Sequence, residues 1–168
     1  MKIRNSLHSK ENYIKLAKFY PLTIFVLMLF GGYVKAIGAG LACPDWPFCH
    51  GQIIPFQYGN EPFMWVLMEY VHRLIALSVT ILLIILVYQS YYHRDESNKE
   101  DLIGMRRFLL SLIVLVLLSI QISLGGLTIF SSLNEFIVTS HLAIATIIFG
   151  LTIIHYYWAS LKTDQRHS

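Results

Sequence analysis

Charge is the scarcest property of this chain. Only 14% of its 168 residues are Asp, Glu, Lys or Arg, while 55% are hydrophobic, and the mean hydropathy is +0.56. A single water-soluble domain of this size is excluded, and a bilayer is the natural solvent. Cysteine is nearly absent too. The only two, Cys43 and Cys49, are spaced too widely for a thioredoxin-like C-x-x-C motif and too few for a zinc cluster. The net charge of +3 is divided among three separate segments and forms no patch, which excludes nucleic acid as a partner.

What is present is a set of four apolar runs, at residues 20–39, 63–91, 108–130 and 136–158, each reaching or approaching the roughly 20 residues that cross a hydrocarbon core. They predict an all-α integral membrane protein, an antiparallel up-down four-helix transmembrane bundle forming one domain over 1–168. Lys2, Arg4, Lys10, Lys15 and Lys18 precede the first run, Arg94, Lys99, Arg106 and Arg107 separate the second and third, and Lys162 and Arg166 follow the fourth. Neither 40–62 nor 131–135 contains a Lys or Arg. By the positive-inside rule these two connections are outer, and both termini are cytoplasmic in a multi-pass protein of the cell membrane. The first run is longer than a signal-peptide core and reads as an uncleaved helix.

The second run is broken by Glu69, His72 and Arg73, which share one helix face at spacings of three and four. Ionisable residues inside a membrane helix point to function, although an ion pair of Glu69 with Arg73 near the interface also has a purely structural reading. His141 interrupts the fourth run. At 1.5 Å per residue His72 lies roughly 15 Å inside Pro62 and His141 roughly 10 Å inside the outer turn, so the two imidazoles can share a depth. Two such histidines on different helices suit the opposite axial positions of a heme iron, whereas zinc asks for three or four ligands. A hydrogen bond to a neighbouring helix is the bland alternative for each. If heme is bound, Arg73 and Lys35 are candidate propionate partners. His155, beside Tyr156, Tyr157 and Trp158, reads as an interfacial anchor, and His8, His93 and His167 read as solvated. In the outer loop 40–62 a stapling disulfide between Cys43 and Cys49 is expected, with a redox-active thiol pair as the alternative. Gly32, Ala36 and Gly40, and likewise Gly125 and Gly126, would admit either another helix or a flat ligand.

The ordered set Gly38-Ala39-Gly40-Leu41-Ala42-Cys43-Pro44-Asp45-Trp46-Pro47, Glu69-Tyr70-Val71-His72-Arg73-Leu74, Gln121-Ile122-Ser123-Leu124-Gly125-Gly126-Leu127-Thr128 and His141-Leu142 closely resembles the heme A synthase family. The resemblance implies an enzyme that oxidises the methyl substituent of heme O to a formyl group, through successive hydroxylations and loss of water, making heme A for terminal oxidases. It implies His72 and His141 as axial ligands of the heme iron, Glu69 as the carboxylate beside the substrate heme, and Cys43 and Cys49 as the family's outer-loop cysteines. The heme is heme O as substrate, heme b as cofactor, or both. Lys35 stands where the family leads one to expect Arg, and so lacks a bidentate fork. Family members usually carry two tandem four-helix halves and this chain has one, so a homo-oligomer is expected to restore the missing interfaces, with heme O synthase or terminal oxidase subunits as further partners.

Two other functions fit parts of the pattern. A non-catalytic heme-binding electron carrier or oxidase assembly factor uses the same histidines without Glu69. A membrane thiol-disulfide oxidoreductase fits the topology and the outer cysteines but lacks a second cysteine pair.

Overall fold

The computed structural model describes residues 9–56, 59–94 and 102–161. Four long helices, α1 (Lys10–Ala36), α2 (Phe63–Tyr92), α3 (Leu102–Phe130) and α4 (Glu135–Ser160), make up nearly all of it, with a 3-10 turn at Ala39–Leu41. Each packs on its neighbours in the chain, and α4 closes the ring on α1. Lengths of 26 to 30 residues give spans of about 40 Å, more than a hydrocarbon core of about 30 Å requires. All four are long and apolar enough to cross a membrane, and most of each apolar window lies on the outside of the bundle. Among the basic residues behind the orientation reading, Lys2, Arg4, Lys99, Lys162 and Arg166 lie outside the described residues, as do His8 and His167.

α1 starts ten residues before the apolar run at Tyr20. Tyr13, Ala17, Tyr20 and Ile24 recur at helical spacing and are buried with Leu83 and Leu86 of α2, Val114 of α3 and Ile148 of α4, so packing draws a charged segment into the helix. The helix ends at Ala36, three residues short of the expected boundary, because Gly38 takes a left-handed φ of 82° that closes helices and suits glycine. Gly40 therefore falls in the 3-10 turn, off the α1 stripe, and receives the side chain of Leu133 from the turn between α3 and α4. In that turn Asn134 caps α4, its side-chain oxygen accepting the N–H groups of Phe136 and Ile137 at 3.1 and 3.4 Å, two donors a helix start leaves unpaired.

Tyr13, near the start of α1, meets Ser90, near the end of α2, while Gly31, near the end of α1, meets His72, near the start of α2. The bundle thus has two distinct ends. At the end bearing Tyr13 the structure corrects two expectations. His155 is 1% exposed and His93 is 3% exposed, so neither is an interfacial anchor nor solvated. Ile148, Thr152, His155 and Ala159 form the buried stripe of α4, and that spacing turns His155 inward while Tyr157 faces out. His155 Nε2 lies 3.1 Å from the Ser90 hydroxyl, and Tyr13 stacks on His93 and meets His155 edge-on. Arg107 completes this polar core from α3, with its guanidinium 5.9 Å from the Tyr13 ring centroid.

Candidate functional site

The opposite end of the bundle holds the residues singled out by sequence. Glu69, His72 and Arg73 are the seventh, tenth and eleventh residues of α2, spanning its second to fourth turns after Pro62 at the N-cap. The His72 ring rests on the backbone of Gly31 in α1, where a Cβ would stand 2.8 Å from Cε1, and stacks on Phe30 with ring centroids 6.3 Å apart. His141 of α4 lies more loosely beside Gly125 of α3, where a Cβ would stand 3.4 Å from Cε1. Both imidazoles lie at the end of the bundle where α2 and α4 begin. Each has its Nδ1 buried with no hydrogen-bond partner among the described residues.

A buried polar atom without a partner is costly, and His72 Nδ1 and His141 Nδ1 are two such atoms on different helices near one end of the bundle, where a bound group could meet them. The donor set agrees with heme. Two imidazoles from different helices suit the axial positions of a heme iron, whereas no group of three or more His, Cys, Asp or Glu side chains among the described residues could hold a metal ion alone. Lys35, in the last turn of α1, is exposed and lies four residues beyond Gly31. It therefore shares the helix face on which His72 rests.

Glu69 and Arg73 point elsewhere, to the loop that follows the 3-10 turn. Glu69 is 4% exposed. Its Oε2 accepts the Cys43 backbone N–H at 2.8 Å, and its Oε1 takes the Arg73 guanidinium at 2.5 Å. Arg73 then spends its remaining Nη donors on three loop carbonyls, Asp45 at 2.8 Å, Cys43 at 3.1 Å, and Phe48. A desolvated ion pair repays its cost only when further hydrogen bonds satisfy the remaining donors and acceptors, and here the loop backbone supplies them.

The loop is closed by the disulfide between Cys43 and Cys49, whose residues are 0% and 1% exposed. That burial fits a staple better than a thiol pair cycling with a partner. Within it the Asp45 carboxylate accepts the N–H groups of His50 and Gly51 at 2.6 and 2.7 Å, and the His50 ring bonds to the Ala42 carbonyl at 2.9 Å. Trp46, between the carbonyls held by Arg73, lies flat over Gly126, where a Cβ would come within 3.1 Å of the indole. Gly125 and Gly126 thus admit an imidazole and an indole side by side. The sequence left these two glycines open to another helix or to a flat ligand, and what they receive is two flat side chains of the chain itself. Their position in the motif with Gln121 was the only available signal.

The family model COX15-CtaA, described as cytochrome oxidase assembly protein, matches residues 16–168. Three similar proteins are each named heme A synthase. That of Lysinibacillus sphaericus is 26% identical over 76% of this chain and 38% of its own length, that of Macrococcus caseolyticus 30% over 76% and 39%, and that of Oceanobacillus iheyensis 29% over 89% and 47%. No solved structure matches. The chain spans about two fifths of the length of the first two of these relatives. With the family model covering nearly the whole of it, the chain belongs to the COX15-CtaA family of cytochrome oxidase assembly proteins.

Proposed function

We propose that this chain holds a heme between His72 and His141 and serves the oxidation of heme O to heme A, in a bundle whose helices alternate in direction with both termini on the cytoplasmic side of the cell membrane. The single observation behind the heme reading is the pair of imidazoles at one end of the bundle, His72 pressed on Gly31 and His141 beside Gly125, each with a buried, unpartnered Nδ1. The names of the similar proteins supply the reaction class. A heme bound there contributes the redox chemistry of its iron. The protein contributes the rest: Gly31 and Gly125 fix the ring positions, and Lys35 offers a cation to a propionate.

Glu69 stands one turn before His72 as the carboxylate beside the substrate. With both oxygens engaged by Arg73 and Cys43, its first task is to hold the disulfide loop over the site, and direct polar chemistry on the substrate requires it to exchange one of those partners. Arg73 is committed to the loop, which leaves propionate recognition to Lys35. A second copy of the chain is the partner that would supply the further half of a two-heme arrangement. Heme O synthase is the natural supplier of substrate and a terminal oxidase the recipient of product.

Expression in a host that makes heme O but no heme A tests the reaction. Heme A in the extracted pigments, lost in His72→Ala and in His141→Ala, supports a synthase. The engagement of both Glu69 oxygens favours one rival, a heme carrier or assembly factor, which would give bound heme B or O and no heme A when supplied with oxygen and reductant.

A further inference from the structure

An apolar pocket of about 230 Å³ lies beside the disulfide loop, lined by Ile54, Pro55 and Phe56 of the loop and by Phe63, Leu67 and Tyr70 of α2. It is on the wrong side of the helix for the histidines. Tyr70 precedes His72 by two residues, a little over half a helical turn, so the pocket faces away from the bundle. Below it Leu74, Leu77, Ile81, Ile84 and Tyr88 continue at alternating spacings of three and four, all between 42% and 57% exposed. This is the stripe that α2 turns to hydrocarbon, and the pocket is its upper end.

The loop wall is built rather than loose. The Cys49 and Gln52 backbones exchange two hydrogen bonds beside the disulfide, and the Gln52 side-chain oxygen accepts the Phe56 N–H at 2.8 Å. Phe56 N–H also reaches the Ile54 carbonyl at 3.0 Å. These bonds hold Ile54 and Phe56 in place although they are 53% and 79% exposed, with Ile53 beside them at 77%. Water-exposed placement of three such side chains is unfavourable, and the loop lies level with the start of a membrane helix.

We infer that this pocket binds one acyl chain of a phospholipid from the leaflet on the disulfide-loop side, and that residues 53–56 sit in that leaflet. The pocket continues the lipid-facing stripe, so a chain lying on Leu74 and Leu77 runs directly into it. A protein segment would bury backbone N–H and C=O groups there, and the lining offers one hydroxyl, that of Tyr70, to meet them. The volume is below the roughly 300 Å³ at which pockets for drug-sized ligands begin, and it has room for part of one slim chain.

The test is photolabelling of the full-length protein in vesicles of phosphatidylcholine and phosphatidylglycerol. They contain a phosphatidylcholine with a diazirine on an upper acyl carbon, and adducts are mapped by peptide mass spectrometry. Adducts at Ile54, Phe56, Leu67 and Tyr70 are expected several-fold above those at Phe130 and Phe136, exposed residues at the same end of the bundle. Leu67→Trp, which fills the pocket, should bring Ile54 and Phe56 down to that background. Labelling no higher than at Phe130 and Phe136 in the parent protein overturns the inference without any variant. So does a pocket that stays unlabelled while its residues crosslink to a second copy.

Discussion

The His72 ring lies on the backbone of Gly31 so closely that an added Cβ would stand 2.8 Å from its Cε1. The ligand position proposed for α2 therefore depends on a residue of α1 that has no side chain. Helix propensity alone favours Gly31→Ala by about 1 kcal/mol, so the substitution separates stability from site geometry. We expect Gly31→Ala to fold with its disulfide intact and to lose most of the Soret absorbance of the purified protein. Gly32→Ala, where a Cβ meets nothing within 4 Å, should retain it. Equal heme content in the two variants would falsify the role given to Gly31.

Arg73 serves three loop carbonyls and Glu69 at once, which a single ammonium group cannot do. Arg73→Lys should release the loop, seen as faster proteolysis within residues 43–56. Arg73→Ala, which leaves Glu69 buried and uncompensated, should cost about 3–5 kcal/mol in denaturant unfolding. Unchanged stability in Arg73→Ala would mean that the loop stands without the ion pair.

The disulfide and the Arg73 contacts hold the same segment, so their effects should not add. Removing the disulfide as Cys43→Ser with Cys49→Ser should cost on the order of 2 kcal/mol from loop entropy. Combined with Arg73→Lys, the total loss should be smaller than the sum of the two. Strict additivity in a double-mutant cycle would show two independent restraints.

Arg107 is 3% exposed, and its Nη1 has no hydrogen-bond partner among the described residues. The cost of burying a charge with one donor unmet offsets much of what its other contacts contribute. Arg107→Met, similar in length and able to pack on Tyr13, should leave the melting temperature unchanged or raise it, with the heme spectrum unaltered. A loss above about 2 kcal/mol would reveal a partner for the guanidinium.

Much of the architecture was legible because bilayer crossing demands long apolar runs, and the second and fourth runs advertise their exceptions at Glu69, His72, Arg73 and His141. Other features were hidden for physical reasons. The first ten residues of α1 mix charged and apolar residues too evenly to form an apolar run, and only the helical spacing of Tyr13, Ala17 and Tyr20 signals the buried stripe that makes them helical. His155 has aromatic neighbours in sequence, but its helical phase with Ile148, Thr152 and Ala159 decides its burial, and that phase was available to be read. The commitment of Glu69 and Arg73 to the disulfide loop depends on a long-range approach between residues 25 to 30 positions apart. Gly125 read equally as a seat for a helix or for a flat ligand, because the two leave the same mark in sequence, and Gly31 carried no signal of its own beside Gly32.

The central claim is a heme held by one histidine from α2 and one from α4. Its most direct measurement is the low-temperature electron paramagnetic resonance spectrum of the oxidised purified protein, with its heme content. The account predicts a low-spin ferric signal of two imidazole ligands, converted to high spin or lost together with the heme in His72→Ala and in His141→Ala. A low-spin signal that survives both substitutions, or a parent protein that binds no heme, would contradict it.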